Sequence, residues 1–134
     1  MHPDFTGIWK ADLTKSRLLG PSPAAIQVKI DHRDPVLFAE MLITAANGGQ
    51  HRIEFAGRTT GEPADNLVLG AAWRSQLAWA GSELLIKSQV SQNNRKFHFR
   101  DFWSLSSDGE TLTMTHRDDD LAGQVTVLYK VRAT

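Results

Sequence analysis

The stretch FHFRDFWSLSSDGETLTM, residues 97–114, decides the fold. It reads as two strands joined by the turn Ser107-Asp108-Gly109-Glu110, because Asp-Gly between alternating apolar runs is a strong hairpin signal. Before the turn the apolar residues hold odd positions: Phe97, Phe99, Trp103 and Leu105. After it they hold even ones, Leu112 and Met114. A loop of two or four residues pairs odd positions with even ones, so both sets fall on one face. Asp101 and His116 fall on that face too. A carboxylate and an imidazole among inward-facing aromatics need each other, water or a ligand, since burying either alone is costly.

Working outward, period-two alternation recurs along the chain and helical periodicity is weak everywhere. Strands are expected at residues 6–13, 25–31, 36–44, 51–57, 71–80, 84–91, 96–106, 111–116 and 124–132, with a further short one at 66–69. Turn signals separate them, among them Gly20-Pro21-Ser22-Pro23, Asn47-Gly48-Gly49, Gly81-Ser82 and Asn93-Asn94. Short connections between successive strands favour a meander over Greek-key crossovers. The expected fold is all-β: one domain, residues 1–134, forming an antiparallel up-and-down β-barrel of eight to ten strands with little helix. Around Gly81-Ser82 the register should set Trp79 opposite Leu84, Leu77 opposite Ile86, Ser75 opposite Ser88 and Trp73 opposite Val90. Around residues 118–123 the same odd–even rule should turn Val125, Val127 and Tyr129 inward beside Met114 and His116. It leaves Leu128 outside with Ile8 and Leu85.

Composition narrows the function. A chain of 134 residues buries roughly two-thirds of its unfolded surface, enough for a core without staples. The 15 basic and 15 acidic residues cancel, and no basic run stands out, which argues against a nucleic-acid partner. Without cysteine there is no disulfide scaffold, thiolate metal site or cysteine nucleophile. No apolar run approaches the ~20 residues of a transmembrane segment. The start, MHPDFTG, shows no signal-peptide pattern, so a soluble protein of undetermined compartment is expected.

Both chain ends resemble known families. Phe5-Thr6-Gly7-Ile8-Trp9-Lys10 resembles the Gly-x-Trp opening of lipocalins and the Phe-x-Gly-x-Trp-Lys opening of fatty-acid-binding proteins. Tyr129-Lys130 resembles the Tyr-x-Lys close of the latter. The segments Trp79-Ala80-Gly81-Ser82-Glu83-Leu84 and Ser104-Leu105-Ser106-Ser107-Asp108-Gly109-Glu110-Thr111-Leu112 are similar to bacterial lipocalin-like proteins of uncharacterised function. The resemblance spans nearly the whole chain as an order of short motifs. It implies a calycin barrel closed at one end by Trp9, with residues 16–23 as a lid-like loop at the other. Residues 17–23 leave no room for the helical pair of fatty-acid-binding proteins, and residues 118–123 leave none for the lipocalin helix.

The residues expected to meet a ligand follow from the inner face. Trp73, Trp79, Phe99, Trp103 and Met114 would supply apolar contact, and Ser75, Ser88, Asp101, His116 and Tyr129 polar anchoring. Each has a plainer structural reading: aromatics as barrel core, Ser75–Ser88 as a mutual hydrogen bond, Asp101–His116 as a self-satisfied pair. Trp9 reads as structural. No cofactor and no metal are expected. His98 and His116 should face opposite ways, His32 and His51 lie at turn edges, His2 lies at the end, and no zinc spacing occurs. Haem through His116 and a Ser88–His116–Asp101 triad are the minor alternatives. The expected activity is non-covalent binding or transport of a small, largely apolar molecule. One alternative is an enzyme using Asp101 and His116 as acid and base. The other is a filled-barrel interaction module forming a homodimer.

Overall fold

The computed structural model describes residues 2–18, 22–118 and 123–131, and ten strands form within them. They are β1 (Gly7–Ala11), β2 (Ala25–Arg33), β3 (Val36–Thr44), β4 (Gln50–Arg58) and β5 (Ala64–Val68). The second half adds β6 (Ala71–Ala80), β7 (Glu83–Gln92), β8 (Arg95–Leu105), β9 (Thr111–Asp118) and β10 (Gln124–Lys130). Alternation is why these segments are strands. In β2, Ile26, Val28, Ile30 and His32 are buried, while Ala25, Lys29, Asp31 and Arg33 are exposed. Among the described residues there is no helix, so none is long and apolar enough to cross a membrane.

The sheet order is β4-β3-β2-β1-β10-β9-β8-β7-β6-β5, antiparallel throughout, so the sheet curls into a nearly closed up-and-down barrel. The short strand expected at residues 66–69 is β5. The hairpin registers of β6–β7 and β8–β9 are those the turns imply: Trp79 opposite Leu84, Ser75 opposite Ser88, Asp101 opposite His116, Trp103 opposite Met114. At the β7–β8 turn Asn93 and Asn94 both adopt positive φ, 52° and 62°, as a type I′ turn requires.

The β9–β10 hairpin differs from its expected register. His116 pairs with Gln124 and Met114 with Thr126, even with even. Five residues separate the two strands, and an odd loop shifts the phase by one residue. Every side chain of β10 therefore changes face. Thr126 and Leu128 point inward and are buried, Leu128 completely; Tyr129 is 48% exposed on the outer surface, and Val125 and Val127 share its phase. Tyr129 is thus no interior anchor, and Leu128 is no exterior contact for a second copy.

The base of the barrel is solid. Phe5, Trp9, Leu37, Leu77, Leu84, Leu112 and Leu128 have no exposed surface. The Trp9 indole N–H donates to the Phe5 carbonyl at 3.0 Å, which satisfies the one polar atom of that side chain. His32, one residue before the end of β2 at the β2–β3 turn, is buried here. Its Nδ1 accepts the Phe5 N–H at 3.2 Å and its Nε2 faces Asp34 Oδ1 at 3.1 Å, the arrangement of a neutral ring with its proton on Nε2. Asp34 also accepts the Thr59 hydroxyl at 2.8 Å. Burial pushes the Asp34 carboxyl upward, but these hydrogen bonds outweigh it and hold its pKa below the ordinary value. His2 stacks flat on Trp79, centroids 4.2 Å apart, so Trp79 belongs to this plug and not to the ligand-facing set.

Between β4 and β5 the ladder is interrupted, and two devices bridge the seam. The Asn66 carboxamide takes the place of a strand residue: its Oδ1 accepts the Ala56 N–H and its Nδ2–H donates to the Ala56 carbonyl, both at 3.0 Å. Nearer the base, Gly61 N–H bonds the Leu77 carbonyl at 2.9 Å, and Leu77 packs where Gly57 has no side chain. A Cβ on Gly57 would stand 2.7 Å from Leu77 Cδ1.

Candidate functional site

The half of the barrel away from the plug encloses a cavity of about 400 Å³, inside the ~300–1,000 Å³ range of small-molecule sites. Its two walls differ. The β2–β5 wall is apolar: Val28, Ala39, Met41, Ile43, Ile53, Phe55 and Val68, with Leu69 at the rim. These inward positions were legible as alternation but were not among the expected ligand contacts. The β6–β10 wall carries Trp73, Ile86, Ser88, Asp101, Trp103, Met114, His116, Gln124 and Thr126. Gln124 and Thr126 reach it through the shifted phase of β10.

Register builds the polar feature of that wall. Ile86, Asp101, His116 and Gln124 are successive partners across β7, β8, β9 and β10, so they form one row. Asp101 Oδ1 lies 2.7 Å from His116 Nδ1, and both side chains are partly buried. The Asp101 hydrogen bond raises the imidazole pKa above the ordinary value; burial works against this, and the charges of Asp101 and Asp118 add to it. The Nδ1 proton is held by the carboxylate, and Nε2 is the nitrogen left for other chemistry. Phe99 braces the pair, its ring centroid 4.9 Å from that of His116 and 5.4 Å from that of Trp73, on which it stacks.

Six of the expected contacts line the cavity together: Trp73, Ser88, Asp101, Trp103, Met114 and His116. Ser75 and Phe99 are not in the lining: Ser75 is fully buried and Phe99 packs against Trp73 and His116. The Ser75 and Ser88 hydroxyls lie 2.7 Å apart and satisfy each other in a buried position. Ser88 sits opposite Phe99, one row from Asp101–His116, so its hydroxyl is engaged elsewhere than with the imidazole. His98 is exposed on the other face of β8. No group of three or more His, Cys, Asp or Glu side chains gathers among the described residues.

No protein-family model matches the sequence, and no curated protein matches it. Solved structures match the fold. A secretory abundant heat soluble protein 4 from Ramazzottius varieornatus superposes with TM-score 0.70 at 12% identity, covering 96% of this chain and 95% of the other. A Schistosoma mansoni fatty-acid-binding protein in complex with arachidonic acid gives 0.67 at 14% identity over 96% of both chains. A protein described as the REP1-NXSQ fatty acid transporter gives 0.68 at 11% identity over 98% of both. This chain shares their barrel architecture. At such identities the likeness is one of architecture. In this barrel Trp9 is fully buried in the solid end, as the resemblance implied. Of the expected lid, Arg17 pairs with Val125 through two backbone bonds of 2.7 and 2.8 Å. Residues 19–21 lie outside the described residues.

Proposed function

We propose that this protein binds, without covalent chemistry, a small and largely apolar molecule in the mouth half of the barrel, as a carrier or reservoir. The hollow half opposite a solid plug carries this reading: a cavity with one apolar wall and a single polar row on the other. Such a pocket suits a ligand with an apolar body against β2–β5 and one hydrogen-bonding group toward Asp101–His116. The barrel architecture supports it, since structural neighbours include fatty-acid-binding proteins, one of them in complex with arachidonic acid. Trp73, Ser88, Trp103 and Met114 serve as contacts, and Phe99 and Ser75 hold that wall in shape. With Nδ1 committed to Asp101, His116 offers Nε2–H to an acceptor on the ligand. Affinity for such a ligand falls as the pH rises through the His116 pKa.

The test is intrinsic fluorescence titrated with fatty acids of increasing chain length, a retinoid and a naphthalenesulfonate dye. Trp73 and Trp103 border the cavity while Trp9 and Trp79 sit in the plug, so saturable quenching should be lost in a Trp73→Phe, Trp103→Phe background. Ala39→Phe fills the cavity and should abolish binding while leaving the fold. Saturation that survives Ala39→Phe, or no saturation with any probe, would overturn the reading.

A further inference from the structure

The chain has no net charge, yet its outer face is electrically divided. The outward positions of β6–β9 carry Arg74, Lys87, Lys96, His98, Arg100 and Arg117, and one carboxylate, Glu83, at the base end; on the neighbouring β5, Asp65 stands opposite Arg74 and offsets it. Register sets three of the cations directly opposite one another: Lys87 faces Arg100, and Arg100 faces Arg117. Like charges in that relation destabilise a sheet. The β2–β4 side is different: there Arg52 pairs with Glu40 at 3.5 Å and Arg33 with Asp31 at 3.4 Å. A shallow groove of about 440 Å³ runs between Arg74, Lys87 and Arg100. Along the mouth margin stand large exposed apolar side chains: Leu67 at 73% on the outer face of β5, Leu69 at 62% in the turn after it, and Phe97 at 41% at the mouth end of β8, in the inward phase.

We propose that the outer face of β6–β9 is a docking surface for an anionic lipid bilayer. The charge pattern favours a bilayer over a rod-like polyanion. The cations spread in two dimensions, across four strands and along β8 from Lys96 to Arg100, so a two-dimensional array of phosphates reaches more of them than a single strand that follows one row. The apolar margin adds the second component of interfacial binding, side chains that enter the headgroup boundary. Leu69 rims the cavity as well, so a docked barrel holds its mouth beside the bilayer. Arg117 stands next to Asp118 at the edge of the field and contributes least. The cations of this surface face away from the interior and only Leu69 borders both, so the Arg100 test does not depend on the interior ligand.

The experiment is co-sedimentation of the full chain with vesicles of phosphatidylcholine alone and of phosphatidylcholine with phosphatidylserine, across a salt series. Binding should require phosphatidylserine and weaken with salt. Arg100→Glu puts an anion between Lys87 and Arg117. It should lower partitioning roughly tenfold while raising the urea midpoint, because it also relieves the cross-strand repulsion. Arg33→Glu makes the same change in net charge on the opposite side and should alter partitioning less than about twofold. Leu69→Ser should weaken binding without changing its salt dependence. Equal binding to both vesicle types, no binding, or equal losses in Arg33→Glu and Arg100→Glu would overturn the proposal. So would tighter binding of a single-stranded oligonucleotide at the same salt, lost in Arg100→Glu.

Discussion

The two ends of this barrel are built from the same alternating strands but filled differently. At the base, Phe5, Trp9, Leu77, Leu84, Leu112 and Leu128 leave no exposed surface, and the Trp9 indole N–H donates to the Phe5 carbonyl. At the mouth, small side chains such as Ala39 and Val68 and the flexible Met41 face an aromatic and polar wall across about 400 Å³ of space. An inward-facing pattern therefore specifies which side of a strand is shielded from water. Side-chain volume, summed across opposite walls, decides whether the shielded space is occupied.

The largest expected effect lies in the plug. Trp9→Ala should lower the free energy of unfolding by about 3–5 kcal/mol in urea denaturation, since it removes a buried ring and orphans the Phe5 carbonyl. Met114→Ala, in the cavity wall, already borders empty space and should cost about 2 kcal/mol, the low end for such a truncation. Equal losses at the two positions would break the distinction between a filled and a hollow half.

Next comes the seam. Gly57→Ala drives a methyl group to 2.7 Å from Leu77 Cδ1 and should cost about 1–3 kcal/mol. The same substitution in a Leu77→Ala background should cost much less, and that coupling, measured as a double-mutant cycle, locates the strain. Toward the mouth, Asn66→Ala removes two hydrogen bonds from an exposed setting and should cost about 1 kcal/mol. Faster amide exchange at Ala56 would confirm that the carboxamide substitutes for a ladder step.

The smallest effect separates stability from binding. The raised His116 pKa means that its pairing with Asp101 stabilises the fold fully below the ordinary histidine pKa of about 6.5 and fades as the pH rises through the folded value. Both groups are partly exposed, so the contribution should stay under about 1 kcal/mol. His116→Gln should flatten the pH dependence of unfolding above neutrality while shifting the midpoint little. Tyr129→Phe, on the outer surface, should change neither stability beyond about 0.5 kcal/mol nor ligand affinity.

The hairpins β6–β7 and β8–β9 were readable from the chain because short, chemically marked turns fix the register locally. That is why the Asp101–His116 pair and the Ser75–Ser88 pair stand where the residue order placed them. The β9–β10 connection carries no such mark. Its parity decided the face of Tyr129, Leu128, Gln124 and Thr126, and only the folded sheet counts that loop. Trp79 shares the phase of Trp73 but lies in the plug, since distance along the barrel axis is not a periodic signal. The sequence by itself determined an antiparallel barrel, its inner face through most of its length and the partners within two hairpins, because these follow from alternation and turn chemistry. Tertiary structure alone decided the rest: where the interior is hollow, how Asn66 and Gly57 close the seam, and that cations placed one per strand meet in a row. Each of these depends on residues far apart in the chain being brought side by side.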